Sequence, residues 1–128
     1  MVDPERAPLV LHVLVVDDEP MIRDVLAEAL RFAGYDVTTA QNGADALALM
    51  DGLTPDVILL DLMMPRMDGF TFRARQLEDP HLAPIPTILV SADYHAAEAL
   101  DTLHAAAYVA KPFDLDAVLE TVATVCAA

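Results

Sequence analysis

The sequence has no tryptophan, one cysteine and few basic residues: seven lysines and arginines stand against 21 aspartates and glutamates, a net charge of −14. The lone Cys126 excludes an internal disulfide and is compatible with the reducing cytoplasm. Direct binding to nucleic acid or to an anionic membrane requires clustered lysine and arginine, so the charge argues against both. The composition instead fits a protein that meets a basic partner or a cation.

Long apolar runs are also missing. No stretch approaches the roughly 20 residues of a membrane-spanning helix. The first residues, MVDPERAPL, do not have the basic and then apolar segments of a signal peptide. We therefore expect a cytoplasmic location.

The chain is long enough for one domain with a substantial core, since 55% of its 128 residues are hydrophobic. Residues 1–8, with Pro4 and Pro8, are predicted to form a short arm, and residues 9–128 the domain.

Five apolar runs predict β-strands, and a stretch of helical periodicity follows each one. The predicted strands cover 9–16, 35–40, 56–61, 86–92 and 107–111; the predicted helices cover 22–33, 43–50, 70–78, 96–103 and 114–125. Gly34 is placed to end the first helix. This alternation predicts an α/β fold, a parallel sheet with helices on both faces, whose ligands bind beyond the carboxyl ends of the strands.

Polar residues stand at four of those strand ends: Asp17 and Asp18, Asp61, Ser91 and Lys111. If these ends converge, the strand order is 2-1-3-4-5. Each residue also has a simpler interpretation: an aspartate that caps the first helix, a turn aspartate, a serine that caps the fourth helix, and a solvated lysine. One shared site explains all of them together.

Four segments, VLVVDDEP, VILLDLMMPRMDG, ILVSA and YVAKPF, resemble the signature segments of the response-regulator receiver domain. The resemblance covers about residues 9–125. It implies the CheY-like, flavodoxin-like fold: a doubly wound five-stranded parallel sheet of order 2-1-3-4-5 with five helices on two faces.

The resemblance also implies a function in two-component signalling or a phosphorelay. Asp61 would be the phosphoacceptor, taking a phosphoryl group from a histidine kinase or a histidine phosphotransfer protein. Asp17 and Asp18 would hold Mg²⁺, with Asp61 and the carbonyl of Met63 as further ligands. Lys111 would contact the phosphoryl group. Beyond this self-phosphotransfer and self-dephosphorylation by water, no enzyme activity is expected.

The same resemblance implies how the signal is read. Ser91 would bind the phosphoryl group, and Tyr108 would then move into the space that the Ser91 loop vacates. The surface of the fourth helix, fifth strand and fifth helix would change and control a partner whose identity the sequence does not give. The Lys111–Pro112 bond is expected to be cis.

The chain departs from the family pattern in several places. The Ser91–Lys111 spacing is a pair of residues shorter than usual, which predicts a short fourth helix. His104 replaces a usual glycine, so either it adopts positive φ or the shorter loop avoids that conformation. In the family, the side chains at the positions of Met63 and Asp93 flank the path of the hydrolytic water, and covering of the phosphoryl group by Met63 predicts slow self-dephosphorylation.

Three alternatives have to be considered. A phosphohydrolase of the haloacid-dehalogenase type needs an acid two residues after its nucleophile, where this chain has Met63. A pseudo-receiver that is never phosphorylated typically loses part of the acidic and lysine set, which this chain retains. The chain also fits the receiver part of a hybrid kinase.

Overall fold

A computed structural model describes residues 10–92 and 96–127, in which five strands alternate with five helices. The strands are β1 (His12–Val16), β2 (Asp36–Ala40), β3 (Val57–Leu60), β4 (Thr87–Ser91) and β5 (Ala107–Ala110). The helices are α1 (Pro20–Phe32), α2 (Gly43–Leu49), α3 (Gly69–Glu78), α4 (Ala96–Thr102) and α5 (Leu115–Ala127).

The strands form one parallel sheet in the order β2-β1-β3-β4-β5, which confirms the predicted topology. Side chains alternate across it because successive residues of a strand point to opposite faces. Val13 and Val15 pack with residues of α1 and α5, whereas Leu14 and Val16 pack with residues of α2, α3 and α4. The predicted two-layer covering is therefore confirmed, and it leaves the carboxyl edge of the sheet for the site.

The observed bounds differ from the predicted ones mainly at the ends of elements. α1 begins at Pro20, two residues before the apolar stripe, because a proline is well tolerated at the first helical position. α1 ends at Phe32, one residue before its predicted end, and Gly34 follows at φ 103° in its predicted place beyond the helix. β3 ends at Leu60, so Asp61 is the first residue beyond the strand.

His104 adopts the first of its two predicted alternatives, because its φ is 52°. The seven described residues of α4 lie before it. A fourth helix shorter than in other receivers stays a prediction.

Two predictions fall on residues that the structure does not describe: the arm over residues 1–8 and the role of Asp93. Within the described ranges, every helix is too short or too polar to cross a bilayer.

Candidate functional site

Three strand ends bring Asp17, Asp61 and Lys111 into contact. The ammonium nitrogen of Lys111 lies 2.6 Å from Asp17 Oδ2 and 3.5 Å from Asp61 Oδ2. All three side chains are buried, with exposed fractions of 2% for Asp17, 4% for Asp61 and 8% for Lys111. The simpler interpretation of Lys111 as a solvated surface lysine is therefore wrong.

The backbone fixes these three residues because each continues the sheet's hydrogen bonding past its strand. The N–H of Asp17 donates to the carbonyl of Ala40, and the N–H of Asp61 donates to that of Val16. The N–H of Lys111 donates to the carbonyl of Ser91. The site thus rests on rigid parallel strands, whose hydrogen-bonded ends set the spacing of the charged side chains.

Asp61 is a buried carboxyl group with an unusual proton affinity. Burial is the main cause that raises its pKa to about 6, and the negative charge of Asp17 raises it further. The hydrogen bond from the Met63 N–H and the positive charge of Lys111 lower the pKa but do not offset burial. The Met63 N–H donates to Asp61 Oδ1 over 3.2 Å, while Oδ2 faces Lys111. Burial disfavours the ammonium of Lys111, but the hydrogen bond to Asp17 and the nearby carboxylates raise its pKa overall.

An acidic cluster lies beside this buried pair. Carboxylate oxygens of Asp17, Asp18 and Glu19 lie within 4.8 Å of one another. Oxygen ligands of this kind suit Mg²⁺, which commonly uses one or two carboxylates and completes its shell with water and phosphate. Asp61 is connected to the cluster through Lys111. The donor set therefore fits the ion that the sequence predicted.

Glu19 is a member of this cluster that the sequence analysis did not single out. Its carboxylate also lies 3.8 Å from Lys111, although the side chain is 61% exposed. The only signal was its place in the acidic run DDE, where the resemblance accounted for the first two residues alone. Glu19 is in addition the residue that precedes α1, without a side-chain capping bond.

The helix-capping interpretation of the aspartates is not supported, because Glu19 is the residue that precedes α1. Asp17 Oδ1 accepts from the N–H of Glu19, which stands before α1 and not within it. Ser91 is fully buried as the last residue of β4. Tyr108 lies half-buried in β5 against the α2, α3 and α4 side of the core. The Lys111–Pro112 bond is cis, as expected.

A close backbone contact holds the loop that follows Asp61. A Cβ on Gly69 would collide with the carbonyl oxygen of Asp61 and lie 2.7 Å from Leu62 Cα. Only glycine fits here without displacement. The N–H of Gly69 donates to the carbonyl of Leu62 over 3.1 Å. This bond joins the start of α3 to the residue after Asp61 and so fixes both ends of the loop.

An open cleft of about 270 Å³ reaches the acidic cluster from solvent. Asp18, Gln41, Asn42, Pro65 and Arg66 line it.

With this geometry in view, the comparisons with known proteins agree on one family. The family model for the response regulator receiver domain matches residues 13–123, so the chain belongs to that family. It is a receiver domain of the response regulators of two-component systems. Among curated proteins it is 38% identical over 113 residues to the DNA-binding dual master transcriptional regulator RpaA of Synechocystis, covering 87% of this chain and 47% of that protein. The chain thus spans about half the length of this relative.

Two solved structures show the same likeness. The chemotaxis response regulator CheY4 of Vibrio cholerae matches with a TM-score of 0.85 and 30% identity, over 91% of this chain and 99% of that one. The response regulator TrrA of Thermotoga maritima, in complex with Mg²⁺–BeF, matches with a TM-score of 0.81 and 34% identity, also over 91% and 99%.

Proposed function

We propose that this receiver is phosphorylated on Asp61 by the phosphohistidine of a histidine kinase or a histidine phosphotransfer protein, with Mg²⁺ as cofactor. One observation carries the proposal: a single buried ammonium, that of Lys111, contacts both Asp61 and the acidic cluster through Asp17. A carboxylate, a cation of fixed charge and a metal-ligand set at one sheet edge are the parts that phosphoryl transfer needs.

Asp61 acts as the nucleophile. Its pKa of about 6 leaves it mostly ionised at pH 7, so no separate base is required. A carboxylate oxygen of Asp61 forms the bond to phosphorus while the bond from phosphorus to the histidine nitrogen of the donor breaks. Lys111 is close enough to Oδ2 to donate to an oxygen of the incoming phosphoryl group.

The metal is assigned to Asp17, Asp18 and Asp61, with the carbonyl of Met63 as a further ligand. Bound Mg²⁺ supplies positive charge that lets an anionic phosphoryl group approach a carboxylate. Glu19 adds a fourth carboxylate beside Asp17 and Asp18. The relative TrrA was solved with Mg²⁺–BeF, which supports the same ligand chemistry for this chain.

The readout is proposed to run through Ser91 and Tyr108. A phosphoryl group adds close to two negative charges and three acceptor oxygens at Asp61. Ser91 ends β4, the strand next to β3, and we expect its hydroxyl to bind one of those oxygens. Tyr108 of β5 pairs with Leu89 of β4, the strand that Ser91 ends, and would follow the shift of the Ser91 loop. The result is a population shift at the α4, β5 and α5 surface.

The net charge of the chain bears on which partners it can contact directly. With a net charge of −14, direct contact with nucleic acid by this chain is not expected. RpaA is named as DNA-binding and is about twice as long as the matched region. An effector therefore lies elsewhere, either in a separate protein or in another part of a longer one.

The experiment is phosphorylation with acetyl phosphate and Mg²⁺, followed by intact-mass spectrometry of wild type and Asp61→Asn. The wild type should gain one phosphoryl group and the variant none. Asp51→Asn, at an exposed turn residue, is the matched control. Labelling of wild type and Asp61→Asn to the same extent would contradict the proposal.

A further inference from the structure

The end of α4 is closed by a backbone motif that normally uses glycine. The N–H of His104 donates to the carbonyl of Asp101 over 3.2 Å, and the N–H of Ala105 donates to that of Leu100 over 2.9 Å. These two bonds form a Schellman motif, in which His104 holds the left-handed position at φ 52°. That conformation is sterically unfavourable for most residues other than glycine.

A second helix end with this motif, that of α1, uses glycine. α1 ends with the same pair of bonds, from Gly34 to the carbonyl of Arg31 over 3.0 Å and from Tyr35 to that of Leu30 over 3.1 Å. Gly34 takes φ 103° without steric cost. Within residues 10–92 and 96–127, no side chain donates to the Gly34 carbonyl, so α1 needs no outside support at this point.

At the end of α4, a buried arginine supplies such support. Arg73 of α3 is 3% exposed, and its Nε donates to the carbonyl of Leu103 over 2.9 Å. Its Nη2 donates to the carbonyl of His104 over 3.0 Å. The guanidinium therefore binds both carbonyls around the left-handed turn. A cation at a helix C-terminus is also favoured by the helix dipole, and the planar fork suits two adjacent acceptors.

The third contact of Arg73 ties this turn to the sheet. Nη1 donates to Thr87 Oγ1, the hydroxyl of the first residue of β4, over 3.0 Å. Thr87 in turn donates to Gln76 Oε1 over 3.2 Å, and the Gln76 amide donates to the carbonyls of Leu82 and Ile85. All these acceptors are neutral and buried or nearly so. The network joins α3, the start of β4 and the end of α4, at the edge opposite Ser91.

We propose that Arg73 is a positioning residue that clamps the C-terminal end of α4 to α3 and β4, so that His104 replaces glycine and α4 moves about this fixed end. The movement rests on the proposed phosphorylation of Asp61; the clamp does not. Any shift that starts at Ser91 then reaches α4 near Ala96 and fades toward Leu103.

The clamp is tested in the unmodified protein by amide hydrogen exchange. Arg73→Lys keeps the charge and most of the buried volume, but a single ammonium cannot span three acceptors. Exchange at His104 and Ala105 should become about tenfold faster, because without the clamp the unfavourable left-handed conformation of His104 makes local opening of the turn more frequent. Exchange in β1 and β3 should stay within about twofold of wild type, since the effect is local.

The double variant Arg73→Lys with His104→Gly is the matched rescue, because glycine holds the left-handed turn without the clamp. Exchange at Ala105 should return close to the wild-type rate. Unchanged exchange in Arg73→Lys, or no recovery in the double variant, would overturn the clamp. If the single variant does not fold, folding of the double variant supports the clamp, and loss of folding in both contradicts it.

The movement is tested with Mg²⁺ and beryllofluoride as a phosphoryl mimic, using amide chemical shifts. Ser91 and Ala96–Ala99 should shift in wild type while Leu103–Ala105 stay nearly unchanged. In Arg73→Lys the shifts should extend to Leu103–Ala105. Equal shifts at both ends of α4 in wild type would refute the fixed end. No shift around Asp61 would contradict the proposed function, and the exchange experiment still decides the clamp.

Discussion

Lys111 Nζ lies 2.6 Å from Asp17 Oδ2 and 3.5 Å from Asp61 Oδ2, so one buried ammonium compensates two buried carboxylates. The shorter contact is to Asp17, while the longer one is to the proposed phosphoacceptor. Lys111 is thus held in place by Asp17 and remains able to turn toward a group added to Asp61. This arrangement makes the lysine the most sensitive point of the site.

Lys111→Met should therefore damage both stability and reactivity. Removing one partner of a buried charge cluster leaves Asp17 and Asp61 uncompensated, at a cost of about 3 kcal/mol in the free energy of unfolding at pH 7. Urea unfolding followed by circular dichroism measures this, since the chain has no tryptophan. Arg75→Met, at an exposed position of α3, removes one positive charge as a control. Equal stability losses in both variants would show that Lys111 compensates nothing specific.

The raised pKa of Asp61 predicts a pH dependence of stability in metal-free buffer. The folded carboxyl titrates at about 6 and the unfolded one near 3.8, so between these values the folded state binds more protons. The free energy of unfolding therefore falls as pH rises through this window, and the penalty is complete above pH 6.

Asp61→Asn removes that penalty. The variant should be more stable than wild type by up to about 3 kcal/mol at pH 7.5 and nearly equal to it at pH 4. Chemical unfolding at both pH values measures the difference, with Asp51→Asn as the exposed control. A variant less stable than wild type at pH 7.5 would mean that the Asp61 carboxylate stabilises the metal-free fold.

Magnesium should raise the melting temperature. Carboxylates of Asp17, Asp18 and Glu19 lie close together, and an ion that binds only the folded state stabilises it by about 2.7 kcal/mol at 100 times its Kd. Asp18→Asn should lose most of this gain, whereas Asp24→Asn, on α1 outside the cluster, should keep it. Calorimetry with and without millimolar Mg²⁺ tests this. A wild-type melting temperature that is the same with and without Mg²⁺ would count against the metal site.

The lifetime of the phosphoryl group should depend on Met63. Its side chain is 62% exposed beside Asp61, and a thioether offers water only a weak acceptor. Met63→Asn should hold an attacking water and shorten the lifetime severalfold. The decay is followed by mass spectrometry after the donor is removed. A lifetime in Met63→Asn as long as in wild type would refute covering by Met63.

The sequence predicted the sheet order correctly because charged and polar residues followed four apolar strands, and a shared site required those four ends to be adjacent. It also predicted the contact between Asp61 and Lys111 for the same reason. It did not predict the clamp, because Arg73 and Gln76 are polar residues on the buried side of α3 and resemble surface residues in a periodicity argument. Four of their five acceptors are backbone carbonyls, which every residue carries and no side-chain pattern reveals; they belong to Leu103, His104, Leu82 and Ile85.

Identifying the residue that carries the phosphoryl group tests the proposed role of Asp61 directly. Wild-type protein is phosphorylated with acetyl phosphate and Mg²⁺, reduced with borohydride, which converts an aspartyl phosphate to homoserine, and then digested and sequenced by tandem mass spectrometry. We expect homoserine at position 61 and at no other aspartate. Homoserine at Asp17 or Asp18 instead, or phosphorylated protein without any homoserine, would contradict it.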